Sequence, residues 1–377
     1  MPGLGETTAM LARLRRQMDG LGDLPGGAER MAETPDFGAN PGALRMLTYV
    51  PEDLAPGAPL VVVLHGCTQR AEAHAAAGGW LTLADRYGFA VLAPEQTAAN
   101  NPNRCFNWFE PGDATRGRGE AASIHAMVLH AVREHALDAE RVFVTGLSAG
   151  GAMTSVMLAA YPETFAAGAV VAGLPHGAAG NMHEALRVMQ AGPARKAGGP
   201  ARRPRRGGGK IPRVTIWHGE ADATVSPRNA HAIAEQWAAA HGLANEASET
   251  EAVAGRTRAV WRATGSDEVL IESNLIGGLG HGTPLSTLGP HGVGAVAPFM
   301  IEAGVSSSLE IARFWGIAGA GEATDAPPAP RVMSPPEPAP APDRGGLGAQ
   351  VMASVSHIPA DVQGVISKAL KAAGLMR

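Results

Sequence analysis

The sequence predicts an α/β protein with a mainly parallel sheet and helices on both of its faces. Short runs rich in β-branched and other apolar residues recur along the chain, and such runs are typical of strands that are buried on both faces. Between them lie segments whose apolar residues repeat every three to four positions, which is typical of helices packed against a sheet. Alternation of such strands and helices favours parallel strands joined by helical crossovers.

The strands and helices alternate along one continuous region. The strand runs are 59–64 (PLVVVL), 89–92 (FAVL), 141–145 (RVFVT), 166–172 (AAGAVVA), 213–217 (RVTIW) and 268–275. The helical segments are 78–87, 149–161, 227–241, 308–314 and a stretch with apolar residues at Ile124, Met127, Val128, Ala131 and Val132. We therefore expect a single domain over residues 38–317.

The composition excludes several classes of protein. The 377 residues include 31 Lys and Arg against 35 Asp and Glu, so the formal charge of −4 provides no overall attraction for nucleic acid. The two cysteines, Cys67 and Cys105, are too few for a disulfide framework and lack the paired spacing of a structural zinc site. No window approaches the roughly 18 consecutive apolar residues of a membrane span. We expect no nucleic-acid partner, no membrane span, no metal and no organic cofactor.

Four segments differ in composition from this region. Residues 1–37 are expected to be a partly helical leader, without the apolar run of roughly 7–15 residues of a secretory signal. Residues 191–212 are basic and rich in Gly and Pro, which predicts a disordered insertion, with contact to an anionic surface as the alternative. Residues 318–346 are typical of a Pro/Ala-rich linker, and 347–377 form a tail with a short amphipathic helix that docks or marks a partner site.

A candidate nucleophile follows the third strand run. The segment 146–151 (GLSAGG) contains the pattern G-x-S-x-G around Ser148, directly between a predicted strand and a predicted helix. The two glycines permit a sharp turn that lifts the serine above the edge of the sheet. The motif is short and weak alone, so its context carries the prediction. A purely structural turn is the alternative, and neither phosphate-binding glycine pattern is present at this turn.

A serine nucleophile needs a base and an acid that orients this base. In hydrolases with such sheets these residues follow in the order Ser, Asp, His. Asp222 lies in the loop after strand 213–217, and His281 lies in a glycine-rich loop after strand 268–275. Open α/β sheets place their sites at this carboxyl edge of the strands. We therefore predict Asp222 as the acid and His281 as the base.

Other residues compete for these two roles. For the acid, the chief competitors are Asp267 and Glu220. For the base, His176 follows the strand after the nucleophile helix and stays an open alternative. His218 precedes the predicted acid so closely that we expect no contact between the two side chains. Two more histidines lie within a helical pattern, which favours a surface or core role: His231 and His241.

A serine that attacks a carbonyl group also needs backbone N–H groups directed at the negative oxygen of the tetrahedral intermediate. The residue after the nucleophile is Ala149, and the loop after strand 59–64 contains Cys67. Loops at these two places provide such donors in hydrolases of this type. The N–H groups of Cys67 and Ala149 are therefore the predicted oxyanion hole, with a plain glycine turn as the alternative reading of the Cys67 loop.

The same region contains the remaining candidates. Cys67 and Cys105 lie in loops after two successive predicted strands, so we predict a disulfide between them at one sheet edge, with buried free thiols as the alternative. His65 and Trp108 are predicted to contact substrate, Trp108 as part of an apolar wall with Phe106 and Phe109. Ordinary core packing is nearly as good an explanation for these aromatic residues.

Five ordered motifs together resemble the polyhydroxybutyrate depolymerase family of esterases. They are HGCTQ at 65–69, RCFNWF at 104–109, GLSAGG at 146–151, HGEAD at 218–222 and GLGHGTP at 278–284. The resemblance covers roughly residues 38–317 and implies the α/β-hydrolase fold, with Ser148 as nucleophile, His281 as base and Asp222 as its partner. Members of the family include polyester depolymerases and esterases of acetylated or feruloylated plant polysaccharides.

The predicted function is therefore that of a serine carboxylic ester hydrolase of the polyhydroxybutyrate depolymerase type. It would cleave short-chain hydroxyalkanoate or related esters through an acyl-enzyme. The alternatives are an acetyl-xylan or feruloyl esterase, a peptidase or acyltransferase on the same fold, and a binding module without activity. The missing signal peptide and the small tail are expected to disfavour insoluble polymer as substrate. The family resemblance implies an extracellular protein, whereas the N-terminus favours a cytoplasmic one. The oligomeric state stays open.

Overall fold

The computed structural model describes residues 30–193, 211–253, 255–289 and 291–319. Several segments singled out in the sequence lie wholly or mostly outside these residues: the leader 1–37, the basic insertion 191–212, the linker 318–346 and the tail 347–377. The predictions for their structure stay predictions. No helix in the described part of the chain is long and apolar enough to cross a membrane.

Strands and helices alternate through the described residues. The strands are β1 (Ala32–Glu33), β2 (Arg45–Tyr49), β3 (Leu60–Leu64), β4 (Ala90–Glu95), β5 (Val142–Leu147), β6 (Ala167–Val171), β7 (Arg213–Gly219), β8 (Glu249–Val253), β9 (Arg256–Arg262), β10 (Val269–Ile276), β11 (Thr283–Leu285) and β12 (Met300–Glu302). The helices are α1 (Ala71–Ala77), α2 (Trp80–Tyr87), α3 (Gly119–Glu134), α4 (Ala149–Ala160), α5 (Met182–Ala191), α6 (Arg228–His241) and α7 (Ser307–Phe314).

Ten of the strands in the described residues form the main sheet, in the order β1-β2-β4-β3-β5-β6-β7-β10-β9-β8. The central strands from β4 to β10 are all parallel to one another. The strands at both edges are antiparallel, and β11 pairs with β12 in a separate small sheet. The predicted fold class, an α/β fold with a mainly parallel sheet, is confirmed.

The sheet is buried on both faces. Along β3 the side chains of Leu60, Val62 and Leu64 pack into one hydrophobic cluster, whereas Val61 and Val63 pack into the other. Helices α3, α4 and α6 contribute to the first cluster, and α2 and α7 contribute to the second. Burial on both faces explains why the sequences of the central strands are apolar at nearly every position and do not alternate between apolar and polar residues.

The edge strands lacked such a signal and were not predicted. Strand β8 is exposed along almost its whole length, and charge pairs link it to β9. Arg258 Nη1 lies 2.8 Å from Glu251 Oε1, and Arg262 Nη2 lies 2.9 Å from Glu249 Oε2. Strand β8 is therefore held by its pairing with β9 and by these charge pairs, and not by an apolar face. Strands β1, β2, β11 and β12 and the short helices α1 and α5 were missed as well.

Candidate active site

Ser148 occupies a strained turn between β5 and α4. Its φ of +57° and ψ of −116° lie in a region that residues with a Cβ rarely adopt. The backbone N–H of Ser148 donates to the carbonyl oxygen of Val171 at the end of β6, at 2.9 Å. Such strain persists only when the surroundings hold it, and it is typical of functional sites.

Two glycines make this turn possible through close backbone approach. A Cβ on Gly150 would lie 2.2 Å from the carbonyl oxygen of Leu64 at the end of β3. A Cβ on Gly146 would lie 2.5 Å from backbone atoms of Gly150. Neither distance is tolerable, so the G-x-S-x-G pattern is required by the packing of the helix start against β3 and β5.

Asp222 and His281 come together in the loops after β7 and β10. His281 Nδ1 lies 2.7 Å from Asp222 Oδ2, and the side chain of Asp222 is inaccessible to solvent. The two loops are tied to each other, since the N–H of Ala221 donates to the carbonyl oxygen of Leu279 at 3.0 Å. The predicted acid and base are therefore in direct contact at the carboxyl edge of the sheet.

The Asp222 carboxylate is surrounded by donors. Its Oδ1 accepts hydrogen bonds from the N–H groups of Thr224 and Val225, both at 2.8 Å. Burial alone would raise the pKa of Asp222, but hydrogen bonds from His218 and His281 hold that pKa well below its usual range. An ionised Asp222 can only accept, so His281 Nδ1 carries the hydrogen and its Nε2 is left as an acceptor.

The expectation that His218 would not contact Asp222 is wrong. His218 Nε2 lies 3.3 Å from Asp222 Oδ2, and both side chains are fully buried. The cause is a tight turn after β7, in which the N–H of Asp222 donates to the carbonyl oxygen of Gly219 at 3.2 Å. This turn folds Asp222 back over the end of the strand, where the His218 side chain lies.

The strand order places Ser148 at the same edge as this pair, since β5, β6, β7 and β10 are neighbours. Within the described part of the chain, no hydrogen bond joins the Ser148 hydroxyl to the His281 ring. Hydrogen bonds of this kind are often long without substrate and shorten when it binds. Ser148 is almost inaccessible to solvent, with 9% of its surface exposed.

The competing residues do not occupy the position beside His281. Asp267 lies in the turn before β10, at the amino ends of the parallel strands, whereas Ser148 lies at their carboxyl ends. Glu220 is exposed. The backbone of His176 exchanges two hydrogen bonds with the side chain of Gln236 on α6, at 3.1 and 2.9 Å. None of these three contacts His281 among the hydrogen bonds and ion pairs of the described residues.

The loop 65–69 lies against the nucleophile turn. A Cβ on Gly150 would be 2.6 Å from the carbonyl oxygen of His65, which shows how closely this loop approaches the start of α4. The side chain of Gln69 closes the loop by accepting from the N–H of Gly66 at 2.8 Å. Ala149 is the first residue of α4, so its N–H has no acceptor within the helix. The N–H of Cys67 donates to no other described residue.

A disulfide joins Cys67 in this loop to Cys105 in the loop after β4, with the two Cα atoms 4.2 Å apart. A second link is a hydrogen bond from the N–H of Thr68 to the carbonyl oxygen of Asn103, at 2.7 Å. The structure therefore fixes the Cys67 loop to its neighbour by a covalent bond and by a backbone hydrogen bond.

His65 does not line the site as predicted. Its side chain is fully buried, and both ring nitrogens are occupied: Nε2 accepts from the N–H of Gln96 at 3.0 Å, and Nδ1 donates to the carbonyl oxygen of Gly66 at 2.8 Å. Burial lowers the pKa of His65, which agrees with a neutral ring that donates once and accepts once. In this position His65 shapes the loop and does not offer a polar group to substrate.

Trp108 lies mostly in the hydrophobic core. Only 6% of its surface is exposed, and its ring packs edge-on against Phe109 with centroids 5.5 Å apart. Phe106 is fully buried and packs against the ring of His65 at 4.9 Å. This arrangement favours the core-packing explanation of the aromatic cluster.

A buried carboxylate that the sequence analysis missed lies beneath the same loops. Glu120, in the first turn of α3, accepts hydrogen bonds from the side-chain amides of Gln96 and Asn107 and from the N–H of Asn107. Burial raises the pKa of Glu120 to about 8, and the charge of nearby Asp113 adds to the effect. The only signal in the sequence is an acidic residue at a helix start, which is common on exposed helices.

Comparison with known proteins gives a consistent result. A family model described as esterase PHB depolymerase matches residues 45–261. The chain is 42% identical over 296 residues to poly(3-hydroxyalkanoate) depolymerase C of Paucimonas lemoignei, which covers 77% of this chain and 70% of that protein. It is 31% identical over 269 residues to acetylxylan esterase A of Emericella nidulans, covering 67% of this chain and 84% of that protein.

A solved structure extends the likeness to three dimensions. The acetyl xylan esterase from Aspergillus awamori superposes with a TM-score of 0.62 at 26% identity, covering 76% of this chain and 99% of the other.

Proposed function

Because the chain belongs to the esterase PHB depolymerase family of carboxylic ester hydrolases, we propose that Ser148, His281 and Asp222 form its catalytic triad. The observation that carries the proposal is the 2.7 Å hydrogen bond between His281 and Asp222, at the sheet edge where the strained Ser148 turn lies. The motifs behind the predicted family resemblance agree with the family match, so that prediction is confirmed.

In the proposed reaction the Ser148 hydroxyl attacks the ester carbonyl while His281 Nε2 takes its proton. The tetrahedral intermediate collapses as His281 returns this proton to the leaving alcohol, and an acyl-enzyme remains. Water, deprotonated by His281, then attacks the acyl carbonyl. The second tetrahedral intermediate collapses as His281 returns the proton to Ser148 Oγ, which releases the acid and regenerates the serine. Asp222 holds the imidazole in the required tautomer and stabilises the imidazolium.

The N–H groups of Cys67 and Ala149 are the proposed oxyanion hole. Support comes from the close approach of loop 65–69 to the start of α4 and from the absence of any other described acceptor for the Cys67 N–H. Donors held in place before the reaction stabilise the developing charge without reorganisation. The disulfide to Cys105 and the His65 contacts supply that rigidity.

The proposed substrates are short-chain hydroxyalkanoate esters. The relative with the highest identity reported above is a poly(3-hydroxyalkanoate) depolymerase, at 42% against 31% for the acetylxylan esterase. The structural match to an acetyl xylan esterase favours acetylated polysaccharide as the second candidate. A comparison of 3-hydroxybutyrate oligomers, polyhydroxybutyrate film, acetyl-xylan and methyl ferulate decides between them. A kcat/KM that is highest on acetyl-xylan or methyl ferulate would overturn the hydroxyalkanoate assignment. Transfer of the acyl group to amide or alcohol acceptors would overturn it as well.

The test of the triad is Ser148→Ala, assayed on p-nitrophenyl butyrate. We expect a loss of kcat of at least about 10³-fold, since the covalent step depends on this hydroxyl. Ser155→Ala, in the helix that follows Ser148, is the matched control, because among the described residues the Ser155 hydroxyl donates only to the carbonyl oxygen of Gly151, at 3.4 Å. Full activity of a folded Ser148→Ala protein would refute the mechanism.

We also propose an extracellular location. The Cys67–Cys105 disulfide supports an oxidising compartment, where such bonds persist. Fractionation of the native producer, with thiol titration of the denatured protein, tests this directly. Activity confined to the cytoplasm together with two free thiols would contradict it.

A further inference from the structure

His218 is a second histidine at the carboxylate of the proposed triad. It is the last residue but one of β7, its side chain has no accessible surface, and it is fixed by two contacts through Nε2. Nε2 lies 2.8 Å from the carbonyl oxygen of Val225 and 3.3 Å from Asp222 Oδ2. Its other ring nitrogen, Nδ1, is buried and has no hydrogen-bond partner among the described residues.

These contacts determine where the hydrogen of His218 lies. A carbonyl oxygen can only accept, so Nε2 must carry the hydrogen in order to bond to Val225. A hydrogen on Nδ1 would have no acceptor and would leave a buried donor unsatisfied. The Nε2–H is therefore shared between the Val225 carbonyl and the Asp222 carboxylate.

The His218 contact completes the surroundings of the carboxylate. Oδ1 accepts from the N–H groups of Thr224 and Val225, and Oδ2 accepts from His281 and His218. Four donors match the four lone-pair positions of a carboxylate, so rotation of Asp222 would break several hydrogen bonds at once. Val225 takes part twice, since its N–H donates to Asp222 and its carbonyl oxygen accepts from His218.

We propose that His218 is a positioning residue for the reaction: its Nε2–H holds Asp222 Oδ2 in the place from which this oxygen orients His281. The proposal rests on the proposed triad and extends it by one residue. The His218 side chain has no accessible surface and no hydrogen bond to Ser148 among the described residues, so it acts through Asp222. A misplacement of about 1 Å in such an arrangement can reduce the rate by about 100-fold.

The test compares two substitutions at position 218. His218→Phe keeps an aromatic ring but removes the donor, and His218→Gln keeps an N–H donor near the position of Nε2. We expect His218→Phe to lower kcat on p-nitrophenyl butyrate by about 10- to 100-fold with KM changed by less than about twofold. His218→Gln should recover most of this loss, because the donor and not the ring is required.

A matched control is His241→Phe. His241 Nε2 also contacts a carbonyl oxygen, that of Pro212 at 3.1 Å, but His241 lies on α6 away from any carboxylate of the site. This variant should keep wild-type kcat. If His218→Phe does not fold, His218→Asn replaces it, since its shorter amide does not reach Oδ2.

Three outcomes would overturn the proposal: a folded His218→Phe protein with wild-type kcat, equal losses in the Phe and Gln variants, or a change in KM alone. The activity of Ser148→Ala shows whether the role of His218 or the triad itself has been refuted. Inactive Ser148→Ala with fully active His218→Phe refutes only the role of His218, whereas active Ser148→Ala refutes the triad itself.

Discussion

Two buried carboxylates support the proposed site from different sides of the Ser148 turn. Asp222 lies in the loop after β7, beside β10, and Glu120 lies beneath the loops that follow β3 and β4. Both are almost inaccessible, with 6% and 1% exposure. Their pKa values nevertheless move in opposite directions, since that of Asp222 is lowered and that of Glu120 is raised to about 8.

The difference comes from the groups around each carboxylate. Burial raises the pKa of both, but Asp222 accepts from two histidine rings and two backbone N–H groups. Glu120 accepts from two side-chain amides and one backbone N–H, and the negative charge of Asp113 lies nearby. The carboxylate beside two histidine rings thus keeps its charge, whereas the one that joins two loops gains a proton near neutral pH.

The largest effect is expected from removing the charge of Asp222. Asp222→Asn should lower kcat on p-nitrophenyl butyrate by about 10³- to 10⁴-fold, because the amide no longer holds the His281 tautomer that accepts from Ser148. Steady-state kinetics of the purified variant measures this loss. Asp267→Asn, at the opposite edge of the sheet, serves as control and should have wild-type kcat. A loss of less than about tenfold in Asp222→Asn would show that another residue orients His281.

A smaller effect is expected on the other side of the site, from removal of the disulfide. The Cys67→Ser/Cys105→Ser double variant should lose about 2–4 kcal/mol of unfolding free energy, since the bond closes a loop with a sequence separation of 38. We expect kcat to fall by about tenfold, because the N–H of Cys67 is then held only by hydrogen bonds of its loop. Urea unfolding and steady-state kinetics measure the two effects.

Treatment with a reducing agent provides the control for this experiment. Reduction should lower kcat of the wild-type protein to that of the double variant and should leave the double variant unchanged. Unchanged kcat after complete reduction would show that His65 and Gln69 fix the loop without the disulfide.

The features that could be predicted from the sequence are those set by local patterns. Burial of β3 on both faces requires apolar residues at every position, so PLVVVL is readable as a central strand. The Ser148 turn is readable because its glycines are required by contacts of 2.2 and 2.5 Å with the backbone. Ser148, Asp222 and His281 follow β5, β7 and β10, so they lie along the carboxyl edge of the sheet in the same order as in the chain.

The features that could not be predicted depend on contacts between distant segments or on the exact path of a turn. The sequence spacing of four positions argues against a contact between His218 and Asp222, yet the hydrogen bond from Asp222 N–H to Gly219 brings the two side chains together. Glu120 resembles an ordinary acidic residue at a helix start until the loop after β4 packs over it. His65 directly precedes the predicted oxyanion loop, but its ring turns into the core toward Gln96.

The smallest effect is expected from Glu120, and it concerns stability. Because its pKa is about 8 in the folded protein and near 4.5 when unfolded, the folded state binds more protons between these values. The contribution of Glu120 to stability is therefore present below pH 4.5 and is lost as pH rises toward 8. Glu120→Gln removes this titration, so Tm should decline less steeply from pH 5 to pH 9 in the variant than in wild type.

Thermal unfolding at pH 5, 7 and 9 measures this difference, with Glu140→Gln at an exposed position as the control that should follow wild type. At pH 5 a neutral glutamine resembles the protonated Glu120, so Tm of the two proteins should be similar. At pH 9 the variant avoids a buried negative charge beside Asp113 and should be the more stable of the two by a few degrees. A Tm difference that stays constant across this range would mean that Glu120 is ionised throughout, and the contrast with Asp222 would then lie in hydrogen bonding alone.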